Sequence, residues 1–182
     1  TGIIMNQGDI TNRLIRLSSA IVGRVRGGLA LVTVMGSMLF GGISGSAVAD
    51  VAGVGSVMIP SMINKGYSKS FAVALTSTAS TLGQIIPPSI IMIIYAATAG
   101  TSVGALFLAG AIPGFLIGIG LMVMSYIYAV KYDYPKEQAQ SLKQLLEALK
   151  DALLTLGAPL IIIGGVVSGV FTATESSVVA VR

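Results

Sequence analysis

Residues 41–50 read GGISGSAVAD and lie in the middle of an apolar stretch, residues 27–64, whose only charged side chain is Asp50. Glycine permits a tight turn, and the stretch is flanked by Arg26 and Lys65. Since basic residues favour the cytoplasmic side of a membrane, both ends are expected on that side. Two arms of about 15 to 18 residues reach only about 23 to 27 Å each, which is marginal for two full crossings of a hydrocarbon core about 30 Å thick. The stretch therefore predicts a re-entrant hairpin, with two ordinary short helices joined by a surface loop as the alternative.

The composition is that of an integral membrane protein. The 182 residues are 54% hydrophobic and 10% charged, with a mean hydropathy of +0.89, whereas soluble domains carry about 25% charged residues. Residues 27–49, 70–130 and 152–174 contain no charge, and one bilayer crossing needs about 20 mostly apolar residues. The net charge of +4 comes from basic residues at the ends of these runs, which is typical of membrane topology and not of nucleic-acid binding.

A second interruption divides the apolar run of residues 70–98. Its sequence is GQIIPPS, residues 83–89. Pro87 and Pro88 donate no backbone hydrogen bond, and Pro88 disfavours helical geometry at Pro87. We therefore predict a discontinuous transmembrane helix made of two halves joined by a few unwound residues.

The other segments complete an all-α, polytopic membrane protein. In chain order they are a helix with a cytoplasmic basic loop (1–26), a crossing helix (103–130), an amphipathic interfacial arm (138–156), another crossing helix (152–174) and the start of a further helix (175–182). Glycines spaced four residues apart in the crossing helix of residues 103–130 allow another helix to approach closely. The chain starts with Thr1 and stops within an apolar run, so we expect an internal piece of a longer protein.

The two interruptions are the places where chemistry is expected. Broken helices in a membrane expose carbonyl oxygens that coordinate a small cation, while helix N-termini attract an anion. Hydroxyls at Ser44 and Ser46 add further oxygen ligands. Asp50 is the only acidic residue between Asp9 and Asp133, and a carboxylate inside a membrane segment indicates function; capping of the second hairpin arm is the alternative.

Several function classes are excluded or weakened by the residues that are missing. With no Cys and no His, the chain offers neither a Ser-His-Asp triad nor a thiolate or histidine metal site. An intramembrane aspartyl enzyme needs two carboxylates, and Asp50 stands alone. We therefore expect no enzyme and no cofactor. A transporter remains, with a passive pore or a structural membrane subunit as the alternative.

Three strings resemble the large membrane subunit of tripartite ATP-independent periplasmic (TRAP) transporters. The first joins GGISGSAVAD to IIPPS, the second is GALFLAGAIPGFLIGIGLMV, and the third is FTATES near the end. The resemblance covers essentially the whole chain. One departure is Ala173, where that family usually has proline.

The resemblance implies an inverted-repeat, elevator-type secondary transporter of the bacterial inner membrane, crossing it several times. Such a protein imports small organic acids, of the C4-dicarboxylate or sialic acid type, with Na⁺ as the coupling ion. Its implied partners are a small membrane subunit and a periplasmic substrate-binding protein. The first repeat would contain the hairpin and the broken helix, and the second repeat would lie beyond Arg182.

The site hypothesis follows from combining the two interruptions. We expect Asp50 to couple ion binding to movement, and Ser44, Ser46, Pro87 and Ser89 to contact the substrate. The predicted Na⁺ ligands come from the hairpin tip and the helix break: Gly42, Ser44, Gly45, Ser46, Gly83 and Gln84.

Overall fold

The computed structural model describes residues 10–136, 142–172 and 175, which form helices joined by turns and loops, with one isolated β-bridge. The predicted all-α class is confirmed for a chain that also has helices long and apolar enough to span a membrane. Residues 1–9, most of 175–182 and the first part of the predicted arm, 138–141, lie outside the described residues. The helices are α1 Ile10–Val22, α2 Gly28–Ser44, α3 Ala47–Asn64, α4 Lys69–Ser80, α5 Ile90–Ala99, α6 Val103–Lys131 and α7 Leu142–Val167.

Two described helices, α3 and α6, are long and apolar enough to cross a bilayer. A third crossing results if the two bent parts of α7, Lys143–Leu153 and Thr155–Val167, form one span. Helices α2 and α5 are apolar but shorter. At 1.5 Å per residue, the 17 residues of α2 and the 18 of α3 extend about 26 Å each, which fits the arm lengths expected of the hairpin.

The hairpin turn occupies two residues between α2 and α3. Gly45 adopts a left-handed conformation (φ 61°), and its N–H donates to the Gly41 carbonyl, so glycine ends α2 without steric cost. Ser46 then caps α3 by accepting a hydrogen bond from the Ala49 N–H at 3.5 Å. Helix α3 includes a π-helical turn, Val51–Gly55, which the sequence did not predict.

The predicted break in the next apolar run has two parts. Helix α4 ends at Ser80 and tightens into a 3₁₀ turn, Thr81–Gln84. The chain is then non-helical through Pro87 and Pro88, which are joined by a cis peptide bond, until Ser89 caps α5.

The predicted arm and the predicted last crossing helix lie along one continuous but bent helix. Residues 138–156 and 152–174 were predicted as two elements, but residues 142–167 form the single helix α7, which bends by 55° around residue 154. Residues 142–156 contain no glycine or proline, so the helix continues through the residues that the two predicted elements share. It ends at Val167 because Gly169 adopts a left-handed conformation (φ 71°).

Three clusters of buried apolar residues hold the helices together. One joins α2, α3, α4 and α6 around Val34, Met62 and Leu75. A second joins α1 to the hairpin through Leu14 and Phe40. The third fixes α1 against α7 with Leu17, Ala20, Ala148 and Ala152. The hairpin therefore packs directly against the broken helix on one side and α1 on the other.

The glycine face predicted on the crossing helix is confirmed as a packing face of α6. Gly110, Gly114 and Gly118 are buried. A β-carbon at Gly110 would lie 2.8 Å from the Ile85 carbonyl oxygen, and one at Gly114 would lie 2.8 Å from Ile86 Cγ1. Because such distances are too short for real contacts, only glycine lets the helix break approach α6 this closely.

Replacing Gly110 by alanine should destabilise the protein. Its added methyl group would meet the Ile85 carbonyl and the end of the Met92 side chain, and overpacking of this kind costs about 1 to 3 kcal/mol. We expect G110A to lower the apparent melting temperature of the purified full-length subunit in detergent. The matched control is G120A on the same helix, where nothing lies within 4 Å of the added group. Equal melting temperatures for G110A and G120A would contradict this packing.

Candidate cation and anion site

Four helix ends meet where the hairpin tip contacts the helix break. The C-terminal ends are those of α2 and of the 3₁₀ turn after α4, and the N-terminal ends are those of α3 and α5. The Ile90 N–H donates to the Gly45 carbonyl oxygen at 3.3 Å. A β-carbon built on Gly41 would lie 2.6 Å from Gly83 Cα. The tip and the break are therefore in direct backbone contact, which requires glycine on both sides.

The serines of the tip are half-buried and bonded to each other. Ser44 Oγ lies 3.4 Å from both the backbone N–H and the carbonyl oxygen of Ser46. Ser46 Oγ accepts from Ala49, and its carbonyl accepts from the Asp50 N–H at 3.1 Å. These bonds fix both hydroxyls at the turn, so their remaining lone pairs are preorganised for a ligand.

The break places the other predicted ligands beside the tip. A β-carbon on Gly83 would lie 3.6 Å from the Ser46 carbonyl oxygen, and one on Gly42 would lie 3.6 Å from the Pro87 carbonyl oxygen. All six predicted cation ligands therefore belong to two segments that contact each other. Gln84 is half-buried, and its carbonyl accepts a hydrogen bond from Ser89.

Ser89 closes the break, which leaves it little freedom to bind a substrate. Its hydroxyl donates to the Gln84 carbonyl oxygen at 2.7 Å and accepts from the Met92 N–H at 3.4 Å. Its side chain is buried. The only hydroxyl proton is therefore committed to the backbone, and Ser89 holds the start of α5 in place.

The arrangement suits one cation and one anion. Backbone carbonyls at the C-terminal ends and serine hydroxyls are hard oxygen ligands, which suit a hard cation. The N-terminal ends of α3 and α5 carry partial positive charge, which attracts a carboxylate. Among the described residues there is no cluster of three or more His, Cys, Asp or Glu side chains, so a carboxylate-lined metal centre is not built here.

Asp50 lies away from the tip and is fully buried. The hydroxyls of Ser37 on α2 and Ser80 on α4 face its carboxylate. However, no described group satisfies hydrogen-bonding geometry with either carboxylate oxygen or with either serine oxygen. Asp50 therefore joins the hairpin to the end of α4 through a buried polar cluster, which we call the Asp50 cluster (Ser37, Asp50 and Ser80).

Ser37 and Ser80 were missed by the sequence analysis. Each stands among apolar or small residues in its helix, where serine is common and its hydroxyl usually bonds to its own backbone. The available signal was that Ser80 directly precedes the 3₁₀ turn and Ser37 lies one helical turn before the hairpin tip. Only the folded hairpin shows that both face Asp50.

Thr172 and Glu175, the two residues of the FTATES string with described hydrogen bonds, bond to each other. The Thr172 N–H and hydroxyl donate to the Glu175 carboxylate at 2.9 and 2.8 Å, and the Glu175 N–H donates to the Thr172 hydroxyl at 3.3 Å. This reciprocal pattern is a capping box, and its hydrogen bonds hold the pKa of Glu175 below its usual range. Ala173, the departure from the resembled family, lies outside the described residues.

Changing Asp50 to asparagine should stabilise the protein in Na⁺-free buffer. The amide keeps the shape of the side chain, donates to the serine hydroxyls and removes a buried charge, whose desolvation opposes folding. We expect D50N to melt at a higher apparent temperature than the unmodified full-length subunit. The control is D151N on α7, an exposed position where the change should stay within about 0.5 kcal/mol. Lower thermal stability of D50N would contradict this account of the Asp50 cluster.

Comparison with known proteins identifies the family. The sequence profile of the tripartite ATP-independent periplasmic transporter DctM component matches residues 1–182. The C4-dicarboxylate TRAP transporter large permease protein DctM of Pseudomonas aeruginosa is 46% identical over 99% of this chain and 42% of its own length. The sialic acid TRAP transporter large permease protein SiaM of Vibrio cholerae is 45% identical, with the same two coverages.

A third relative is the ectoine TRAP transporter large permease protein TeaC of Halomonas elongata, 43% identical over 98% of this chain and 42% of its own length. The chain thus spans about two fifths of the length of these relatives. Together with its apolar helices, these matches show that the chain belongs to the DctM family of TRAP transporter components, which are inner-membrane permease proteins and not enzymes.

Proposed function

We propose that this chain forms half of the ion and substrate site in a Na⁺-coupled importer of small organic acids. The complete permease would work with a small membrane subunit and receive its substrate from a periplasmic binding protein. The observation that carries the proposal is the meeting of four helix ends at the contact between Gly45 and Ile90. The remaining length of the relatives leaves room for the second half of the site.

The cation would sit on the C-terminal side of this contact. Gly42, Ser44, Gly45 and Ser46 would supply oxygen ligands from the tip, and Gly83 and Gln84 would supply them from the break, since the two segments are in contact. Na⁺ is a hard, singly charged ion, and neutral carbonyl and hydroxyl ligands suit it. Because the ligands come from both segments, a bound ion would hold the tip against the break.

The organic anion would sit on the N-terminal side. Ser46 and Ser89 cap α3 and α5 respectively, so both helices direct their first N–H groups towards this region. C4-dicarboxylates, sialic acid and ectoine, named for three relatives, all carry a carboxylate that such helix ends attract. Ser44 and Ser46 would add hydrogen bonds, Pro87 would supply a wall, and Ser89 would act by positioning α5.

Asp50 would couple the occupied site to movement. It lies one helical turn beyond Ser46, whose carbonyl accepts from its N–H, and its carboxylate faces α2 and α4. A shift of the tip on ion binding would move the carboxylate relative to Ser37 and Ser80. The polar cluster would thus transmit a change at the site to the helices that carry it.

A passive pore or a structural subunit is the competing function. A pore needs no ion ligands at the tip and would give a flux that does not depend on the Na⁺ gradient. The backbone contact between tip and break favours a closed binding site, because the two segments are packed against each other through Gly41 and Gly83.

Removing the tip hydroxyls should weaken Na⁺ dependence of uptake. In proteoliposomes containing the complete transporter and its binding protein, we expect S44A and S46A to raise the Na⁺ concentration for half-maximal uptake by about tenfold, corresponding to about 1.4 kcal/mol. The control is S61A on α3, whose hydroxyl donates to the Val57 carbonyl away from the tip. Uptake that is independent of Na⁺ in the unmodified protein would favour the pore.

Substituting Asp50 with asparagine should severely reduce Na⁺-driven uptake, because the coupling carboxylate is lost while the hairpin keeps its shape. The same proteoliposomes measure it, with binding of Na⁺ followed separately by its effect on the melting temperature. Unchanged uptake by D50N would remove Asp50 from the mechanism and leave the tip site intact.

A further inference from the structure

A cleft of about 440 Å³ lies between the N-terminal end of α4 and the C-terminal end of α6. Its lining includes the hydroxyl-bearing residues Ser68, Ser70 and Tyr132 and, further along the two helices, the apolar residues Ala74 and Met124. Ala74 is one helical turn further along α4 than Ser70, and Met124 is two turns before Tyr132 on α6. The cleft therefore changes from polar to apolar along the direction of the helices.

Basic residues surround the polar end of this cleft. The segment before α2 lies beside the segment after α6. Arg26 forms an ion pair with Asp133 at 2.7 Å, and the Gly27 N–H donates to the Pro135 carbonyl at 3.2 Å. Asp133 is the only acidic residue within residues 51–136, and Arg26 neutralises it. The segments that adjoin these helix ends in the sequence carry the basic residues Arg24, Arg26, Lys65, Lys69, Lys131 and Lys136.

Stacked aromatic rings fix the wall of the cleft. The ring centres of Phe71 and Tyr128 are 5.1 Å apart, and those of Tyr128 and Tyr132 are 4.7 Å apart. Tyr134 lies 4.2 Å from Tyr67 in the same cluster. Tyrosine side chains concentrate at the boundary between lipid tails and headgroups, which places the mouth of the cleft at headgroup depth.

Two lysines stand at this mouth. Lys69 lies between the two lining serines and is exposed. The Lys131 ammonium is 5.8 Å from the centre of the Tyr132 ring. Basic pockets between transmembrane helices on the cytoplasmic side attract anionic lipid headgroups, with a contribution of about 1 kcal/mol for each nearby lysine.

We propose that this cleft binds one anionic phospholipid. Its phosphate lies near Lys69 and Lys131, its headgroup accepts hydrogen bonds from the Ser68, Ser70 and Tyr132 hydroxyls, and one acyl chain follows Ala74 and Met124. The occupant is a lipid because the cleft is polar at one end and apolar at the other, as an amphiphile is. It is anionic because the residues next to the polar end are mostly basic. This lipid site is separate from the hairpin tip and from transport itself.

The test uses the complete transporter reconstituted in bilayers with spin-labelled phosphatidylglycerol or spin-labelled phosphatidylcholine. Electron paramagnetic resonance measures the fraction of each lipid that is immobilised by the protein. We expect a preference for phosphatidylglycerol, and we expect the double variant K69Q/K131Q to lower its relative association constant by about tenfold. The control K143Q/K150Q removes the same charge from α7 and should leave the preference unchanged.

A second variant separates the cleft from general surface charge. A74W places a large side chain in the apolar part of the cleft while keeping both lysines, so it should also remove most of the preference for phosphatidylglycerol. An equal loss in K69Q/K131Q and K143Q/K150Q, or full preference in A74W, would overturn the proposal. Absence of any preference in the unmodified protein would overturn it too, because another part of the transporter would then cover the cleft. Transport is not the readout, so failure here leaves the proposed function standing.

Discussion

Backbone groups inside a bilayer have no water to bond with, so unwound segments there must be satisfied by protein. The sequence predicts that the hairpin turn and the helix break are two such segments, and in this structure each contacts the other. The Ile90 N–H bonds the Gly45 carbonyl, Gly41 packs on Gly83, and Ser89 bonds Gln84 inside the break. Glycine is required where the two backbones meet, since a side chain would separate them.

The rest of the structure supports this contact. The glycine face of α6 holds Ile85 and Ile86 of the break, and α1 supports the hairpin from the other side through Leu14. With the contact held in place, four helix ends converge, of which two are C-terminal and two are N-terminal. The same requirement that satisfies the backbone thus brings these helix ends together, and the proposed cation and anion site rests on that convergence.

Much of this architecture could be predicted from the sequence because its signals are local. Glycines at 41, 42 and 45 and prolines at 87 and 88 mark the two interruptions, and the structure has a turn and a break at those positions. Contacts between distant segments could not be predicted in this way. Nothing in the sequence pairs Ser37 and Ser80 with Asp50, and the continuity of α7 through residue 154 depends on the absence of a breaker where two predicted elements overlapped.

The π-helical turn after Asp50 was equally invisible, because its residues are those of an ordinary apolar helix. Such turns insert one residue into a helix and often occur at functional positions. Here the turn follows the residue that faces α2 and α4. It brings Gly53 against the Phe40 ring, where an added β-carbon would lie only 2.8 Å away, so the hairpin arms remain closely packed beyond the tip.

A re-entrant hairpin requires that the chain enters the membrane, turns inside it and leaves on the side from which it came. Site-directed labelling with a membrane-impermeant maleimide measures this directly in sealed vesicles of known orientation. Single cysteines replacing Arg24 and Lys65 should react from the same face, a cysteine replacing Thr101 should react from the opposite face, and one replacing Ser44 should be shielded from bulk solvent on the Thr101 side. If the Arg24 and Lys65 positions instead reacted from opposite faces, the residues between them would cross the membrane fully and the re-entrant hairpin would not exist.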